Sequence, residues 1–303
     1  MTVRQSGDVD VMSAIDVEMV SFGCRLNLVE SEAIRRAALA AGRQNLVIVN
    51  TCAVTGEATR QARQTIRRLK RQNPARDIVV TGCAVEVERA RFAAMPEVAR
   101  LLGNGAKLDA AAWATDAPLA ETDIMSVRRA DLPLVEGVED HTRAFLAIQN
   151  GCDHRCSFCI IPFARGPSRS VAVADVRAAA SGLVAKGFRE IVLTGVDLTS
   201  YGTDLIGTPT LGHLVKSLLK ALPGLDRLRL SSVDCIEADS DLVAAFAEEP
   251  RLMPHLHLSL QSGDDTILKR MRRRHTRADA VRFCADLRRL RPDIVFGADL
   301  IAG

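Results

Sequence analysis

Aromatic residues are scarce in this 303-residue chain, 4% of the total with one tryptophan and one tyrosine. A platform of stacked rings for single-stranded bases is therefore poorly supported. No run of about 18 apolar residues occurs, so no segment reads as a membrane-spanning helix. An excess of one charge is missing too: the net charge of +3 is too small to demand a nucleic-acid partner. Lysine is rare, six of the 40 basic residues, which leaves 34 arginines. Arginine forks suit phosphate, but a GC-rich coding sequence produces the same bias, and that plainer reading takes precedence. What remains is ordinary, with 48% hydrophobic and 25% charged residues. That excludes a disordered chain and a coiled coil and leaves room for about two domains. The polar residues 1–16 do not read as a secretory signal but as a flexible leader, and the expected location is cytoplasmic.

Against this background eight cysteines stand out, at 24, 52, 83, 152, 156, 159, 235 and 284. In a reducing compartment clustered thiols point to metal or catalysis rather than disulfides. Their meaning depends on where the secondary structure places them.

The first hundred residues alternate strand and helix. Val17 to Phe22, Leu46 to Asn50 and Asp77 to Thr81 read as buried parallel strands. Helices are expected from about Leu28 to Ala41, with Asn27 as N-cap, Glu30 three residues on and Gly42 closing, and from Gly56 to Arg71. The pattern is an open parallel α/β sheet over 17–112. Periodicity then fails, and 113–142 reads as a linker. From Arg143 the alternation resumes, with strands at Arg143–Ile148, Glu190–Gly195, Arg227–Ser232, His255–Leu260 and Asp293–Asp299. Helices are expected near 173–186, 210–221, 239–248 and 278–290. Repeated βα units predict a partial (βα) barrel over 143–303, shorter than the about 250 residues of a complete one.

Cys152, Cys156 and Cys159 form C-x3-C-x2-C just past the first barrel strand, where barrel enzymes place their chemistry. Three thiolates can hold three corners of a [4Fe–4S] cubane and leave one iron open for a non-protein ligand. A zinc site is the alternative; zinc wants four ligands, and His154 could serve as the fourth. The spacing, with aromatic Phe158 before the last cysteine, resembles the radical S-adenosylmethionine superfamily. That resemblance implies that the open iron binds S-adenosylmethionine and that one electron from the cluster generates a 5′-deoxyadenosyl radical.

Cys24, Cys52 and Cys83 look isolated, yet each follows a parallel strand: Val20-Ser-Phe-Gly-Cys, Val49-Asn-Thr-Cys and Val80-Thr-Gly-Cys. Ligands of open α/β sheets bind at the carboxyl ends of strands, so the three thiols are expected to converge. Gly23 and Gly82 allow close backbone approach. Three unrelated buried thiols are the bland alternative. A second three-thiolate cluster explains the repeat of the same position in three βα units.

A three-cysteine α/β domain followed by a radical S-adenosylmethionine barrel resembles the methylthiotransferases. The stretches that carry the likeness are Gly23-Cys-Arg-Leu-Asn with Glu30-Ser-Glu, Asn50-Thr-Cys-Ala-Val-Thr and Thr81-Gly-Cys. Beyond them lie Cys159-Ile-Ile-Pro-Phe-Ala-Arg-Gly, Leu193-Thr-Gly-Val-Asp-Leu, Leu230-Ser-Ser and His257-Leu-Ser-Leu-Gln-Ser-Gly. The resemblance implies two [4Fe–4S] clusters, S-adenosylmethionine as both methyl and radical source, an electron donor and a sulfur source. It implies replacement of an unreactive C–H hydrogen by a methylthio group. The stretches Thr194-Gly-Val-Asp-Leu-Thr-Ser-Tyr-Gly and Arg229-Leu-Ser-Ser look most like members acting on N6-threonylcarbamoyladenosine at position 37, in the anticodon stem-loop of tRNA. The alternatives are isopentenyladenosine in tRNA, a ribosomal-protein aspartate and, from another class, a metal-stabilised RNA-binding protein without catalysis. Family members usually continue into a further βα unit and an RNA-gripping β-barrel, so the chain reads as shortened at its C-terminus.

Other residues are candidates by position. Gly195, Asp197, Ser232 and Gln261, with Phe158, are expected to line the cofactor site. His255, His257, Ser259 and Gln261 alternate with leucines on one strand, either facing the lumen or as hydrogen-bonded core groups. Arg60, Arg63, Arg67 and Arg71 share a helix face, and Arg272 and Arg273 lie in a basic run; both could contact phosphate or be solvated surface. Cys235 and Cys284 read as ordinary semi-buried thiols.

Overall fold

The computed structural model describes residues 10–14, 17–115, 122–128 and 141–302. They pack as two compact units: Met1–Val127 with Ile160–Gly166, and Arg128–Cys159 with Pro167–Gly303.

The N-terminal unit holds one five-stranded sheet, β1 (Asp10–Ala14), β2 (Val17–Ser21), β3 (Leu46–Thr51), β4 (Asp77–Gly82) and β5 (Arg100–Leu101), in that spatial order. β1 runs antiparallel to β2, and all other pairs are parallel. The helices are α1 (Arg25–Ala40), α2 (Gly56–Gln72), α3 (Cys83–Val87), α4 (Arg89–Ala93) and α5 (Ala110–Ala114). Every residue of β3 is buried, as a central parallel strand covered on both faces requires. Alternate side chains split between two cores. Val20, Val47, Val49 and Val80 pack on Ala62 and Ile66 of α2, whereas Val17, Met19, Ile48 and Val79 pack on Ile34 of α1 and on Trp113.

Three expectations change here. The leader was expected to be flexible through residue 16, but 10–14 form β1, which pairs with the otherwise open edge of β2; residues 1–9 and 15–16 lie outside the described residues. Asn27 is not a cap: α1 starts at Arg25, and Asn27 is buried inside its first turn. The expected linker contributes Trp113 and Ile124 to the N-terminal unit, both buried; residues 116–121 and 129–140 lie outside the described residues.

The second unit carries β6 (Ala144–Ala147), β7 (Gln149–Asn150), β8 (Arg169–Ser170), α7 (Val173–Ala185), β9 (Glu190–Thr194), α8 (Leu211–Ala221) and β10 (Arg227–Leu230). β11 (Ser232–Val233), α9 (Ser240–Glu248), β12 (His255–Gln261), α10 (Asp265–Arg270), α11 (Arg277–Leu290) and β13 (Val295–Leu300) follow. The short helix α6 (Ile161–Arg165) belongs to the first unit and packs against α3. The expected strand Arg227–Ser232 is interrupted at Ser231. Its first half pairs parallel with β9 and its second half with β12. This handover runs the parallel order β6-β9-β10 into β11-β12-β13, a partial (βα) barrel. β12 shows the expected alternation as far as Leu258, with Leu256 and Leu258 buried and His255 and His257 half-buried; beyond it Ser259, Leu260 and Gln261 are all half-buried, where the register shifts. His257 Nε2 lies 3.4 Å from Asp299 Oδ2.

Candidate metal centres

Cys24, Cys52 and Cys83 sit at the carboxyl ends of β2, β3 and β4, three neighbouring strands of one sheet. Cys24 precedes α1, and Cys83 opens α3. Two glycines make the geometry. Gly23 has φ +96°, and a Cβ there would lie 2.7 Å from both Cβ and Sγ of Cys52. Gly82 has φ +97°, and a Cβ there would run into the backbone of Thr51. Only glycine fits either place. All three thiols are free. Burial pushes the Cys52 thiol up, and Cys83 and Cys24 push it the same way.

Beside them lies a buried polar set. Arg165 Nη1 donates to Glu30 Oε1 at 2.8 Å, and Nη2 donates to Glu30 Oε2 at 2.9 Å and to Asn27 Oδ1 at 2.5 Å. Lys107 Nζ donates to Glu30 Oε2 at 2.6 Å. Burial alone would raise the Glu30 carboxyl, but Arg165 and Lys107 outweigh it and bring it down to about 2. Asn27 Nδ2 donates to the carbonyls of Phe22 and Thr51, next to the Cys24 and Cys52 turns. Asn104 Nδ2 donates to the Ala164 carbonyl at 2.6 Å and lies 3.8 Å from Cys83 Sγ. Sequence reasoning assigned no role to Arg165 or Lys107 and read Glu30 as part of a helix start. Glu30 and Arg165 carry a signal in their place six residues after Cys24 and Cys159, whereas Lys107 carries none.

In the second unit, β7 leads through Gly151 (φ +74°) into the loop of Cys152, Cys156 and Cys159. The Cys159 N–H donates to the Cys156 carbonyl at 3.1 Å, folding the x2 spacing into a turn. Ser157 fastens the loop to the end of α10: its N–H donates to the Met271 carbonyl and its hydroxyl to the Arg270 carbonyl. Burial and then Asp197 push the Cys152 thiol up to about 12. Asp197 Oδ2 lies 3.6 Å from Cys152 Sγ and 3.0 Å from His154 Nε2, and it accepts from the Ser200 hydroxyl at 2.7 Å. Burial raises the Asp197 carboxyl, but His154 and Ser200 hold it below the usual range.

Gln149 ties this region together. Its Oε1 accepts from Val196 N–H at 3.0 Å and Asp197 N–H at 2.8 Å, and its Nε2 donates to the Gly151 carbonyl at 2.8 Å and Ser168 Oγ at 2.9 Å. Gly195 lies against it, with room for no side chain: a Cβ would be 3.0 Å from the Gln149 carbonyl oxygen.

The remaining candidates fall differently. Phe158 is 44% exposed. Ser232 is exposed, and Gln261 is half-buried at φ +71°, at a register shift of β12. On α2, Arg60 is forked onto Glu57 and Arg67 reaches Glu97 at 4.0 Å; Arg63 is half-buried and Arg71 exposed. Arg272 is exposed at φ +57°. Arg273 is a correction. Its side chain is 8% exposed and is held by Asp234 Oδ2 at 2.7 Å and the Ser259 carbonyl, with Nη1 3.5 Å from Cys156 Sγ. A guanidinium consumed by buried acceptors has no fork left for RNA phosphate. Asp234, Cys235 and His275 also come together, all buried. Arg273 and Arg274 already neutralise Asp234, so a cation there would meet repulsion.

A model of the Radical SAM superfamily matches residues 146–303, and one described as Uncharacterized protein family UPF0004 matches residues 16–103. Over 287 residues the chain is 50% identical to threonylcarbamoyladenosine tRNA methylthiotransferase MtaB of Rickettsia prowazekii, covering 94% of this chain and 68% of that protein. The chain belongs to the radical S-adenosylmethionine methylthiotransferases. A Bacillus subtilis member, also named MtaB, is 34% identical over 93% of this chain and 66% of its own length. A Paracoccus denitrificans tRNA-2-methylthio-N(6)-dimethylallyladenosine synthase is 33% identical over 93% and 67%. This methylthiotransferase thus spans about two thirds of the length of the curated relatives it matches. Among solved structures, the radical S-adenosylmethionine methyltransferase TsrM of Kitasatospora setae, with cobalamin and a [4Fe-4S] cluster bound, shares the fold with a TM-score of 0.61 and 16% identity. That match covers 92% of this chain and 62% of TsrM.

Membership of the superfamily implies S-adenosylmethionine and a [4Fe–4S] cluster. The residues fit such a group. Cys152, Cys156 and Cys159 are free thiols on one loop at a strand end, and Arg273 offers a positive charge to Cys156. Cys24, Cys52 and Cys83 are also free thiols, and Gly23 keeps the space beside Cys52 clear of side chain.

Proposed function

We propose that this methylthiotransferase modifies N6-threonylcarbamoyladenosine at position 37 of tRNA, exchanging the C2 hydrogen for a methylthio group. Cys152, Cys156 and Cys159 hold one [4Fe–4S] cluster, and Cys24, Cys52 and Cys83 hold a second. The observation that carries the substrate is the 50% identity to a relative named for that nucleoside, against 33% to one named for the dimethylallyl nucleoside. Bound, the two clusters and S-adenosylmethionine supply the one-electron chemistry that opens an unreactive C–H bond and the sulfur that takes its place.

The chain's own residues position these groups. Gln149 holds the backbone of Gly151 on one side and of Val196 and Asp197 on the other, so the cysteine loop and the loop after β9 keep one geometry. Gly195 lets the loop after β9 pack directly on Gln149 and Leu198, where a side chain would intrude. Arg63 and Arg71 on α2 and Arg272 remain available for tRNA phosphates, which position rather than specify. An electron donor and a sulfur source complete the set of partners.

Nucleoside mass spectrometry of tRNA from cells lacking the gene tests the substrate. The expected result is loss of the methylthio form of threonylcarbamoyladenosine with its precursor accumulating. Loss of the methylthio form of isopentenyladenosine instead would move the assignment to that nucleoside. Unchanged tRNA together with an unmodified ribosomal-protein aspartate would move it to the protein substrate.

A further inference from the structure

Around Cys24, Cys52 and Cys83 the structure buries more charge than packing requires. Arg165, Lys107 and Glu30 are each at most 2% exposed. Burying one ion pair is already costly, and a third buried charge is harder still to justify by stability. The set contains two cations and one carboxylate, so one positive charge is left in excess. A guanidinium cannot discard its charge by losing a proton. Its fork is fully oriented: both nitrogens are taken by Glu30 and one also by Asn27.

That excess faces the thiols. Cys83 and Cys24 both act electrostatically on Arg165, and Arg165 acts on Cys52. The framework is shared as well. Asn27 orients Arg165 and bonds the carbonyl of Thr51, the residue before Cys52. Asn104 reaches both Cys83 Sγ and the carbonyl of Ala164, the residue before Arg165. In a low-dielectric interior such a charge is poorly screened.

Resting on the two-cluster reading above, we propose that Arg165, Lys107 and Glu30 are positioning residues that set the reduction potential of the cluster held by Cys24, Cys52 and Cys83. Three thiolates and the electron added on reduction are negative, so a fixed positive excess favours the reduced state and raises the potential. Glu30 limits the effect to a single charge. Removing a cation and removing the carboxylate therefore move the potential in opposite directions.

The test uses the full chain carrying C152A, C156A and C159A, which leaves only the N-terminal cluster, and reads its midpoint potential by dye-mediated titration followed by electron paramagnetic resonance. In that background Arg165→Met shifts the potential negative, Glu30→Gln shifts it positive, and Arg165→Lys stays near the parent because it keeps the charge. In Glu30→Gln, Asn27 still accepts from Arg165 and holds it in place. If Arg165→Met does not fold, Lys107→Met removes the same excess from the other side of Glu30, and the same negative shift is expected. A merely structural network would destabilise the chain in every variant and leave the potential unmoved. Equal potentials, or shifts of the same sign in the cation and carboxylate variants, overturn the proposal while the two-cluster reading stands. A parent that binds no iron overturns both.

Discussion

Gln149 shows how a single residue carries the site. Its side chain is wholly buried and meets five groups, two backbone N–H donors, two carbonyls and one hydroxyl. Gln149→Ala strands these groups at about 1–3 kcal/mol for each that water does not reach. We expect a loss of about 3 kcal/mol in urea unfolding of the barrel unit. The same variant is expected to lose iron from the Cys152, Cys156 and Cys159 site while the N-terminal site keeps its own. Gln149→Glu keeps the shape but gives up the bonds donated to Asn150, Gly151 and Ser168 and sets a carboxylate near Asp197, so it is expected to lose barrel iron as well. Wild-type iron content in both variants would remove Gln149 from the positioning role. At this scale the placement was legible where residues share local spacing, as in the C-x3-C-x2-C loop, or where one residue type recurs at one structural point, as Cys24, Cys52 and Cys83 do at three strand ends. Glu30 was not legible, because its partners Lys107 and Arg165 lie 77 and 135 positions away. Arg273 misled because its basic run looks like surface, whereas its neighbour in space, Asp234, is 39 residues distant.

At the scale of elements, strand-to-helix turns place the N-terminal thiols, and glycine conformation decides them. Gly42 and Gly82 both have positive φ, but they differ in surroundings. A Cβ at Gly42 meets nothing within 4 Å, whereas one at Gly82 meets the backbone oxygen and nitrogen of Thr51. Gly42→Ala is therefore expected to cost about 1 kcal/mol, the backbone penalty alone. Gly82→Ala must separate β4 from β3 and carries Cys83 with it, so about 3 kcal/mol or more is expected, with loss of iron from the N-terminal site. Thermal unfolding and iron analysis of the two variants side by side check this; equal stability would mean that the turn from β4 into α3 yields freely. Long periodic elements such as α2, α7 and α11 were readable because their apolar spacing is local. The break at Ser231 was not, since a change of pairing partner leaves no mark on strand periodicity. β1 was missed because its pairing answers the open edge of β2 rather than a pattern of its own.

For the whole molecule, the division into two units matters more than the count of cysteines. Cys24, Cys52 and Cys83 fall entirely in the first unit, and Cys152, Cys156 and Cys159 entirely in the second. The chain leaves the second unit just after Cys159 and contributes Ile160–Gly166 to the first, an exchange that a boundary drawn from composition could not show. Because no thiol set draws a ligand from the other unit, each is expected to load iron independently. Anaerobic reconstitution should give about eight irons per chain in the parent and about four in either triple variant, C24A/C52A/C83A or C152A/C156A/C159A. Cleavage of S-adenosylmethionine on reduction should survive in the first variant and vanish in the second, since the Cys152 loop lies within the stretch that matches the Radical SAM superfamily and the N-terminal thiols lie outside it. Methylthiolation of tRNA should vanish in both. Loss of all iron from C24A/C52A/C83A would mean that the barrel site depends on the N-terminal one, loss of all iron from C152A/C156A/C159A would overturn the two-cluster reading, and bound zinc in place of iron would return the Cys152 loop, with His154, to a structural metal site.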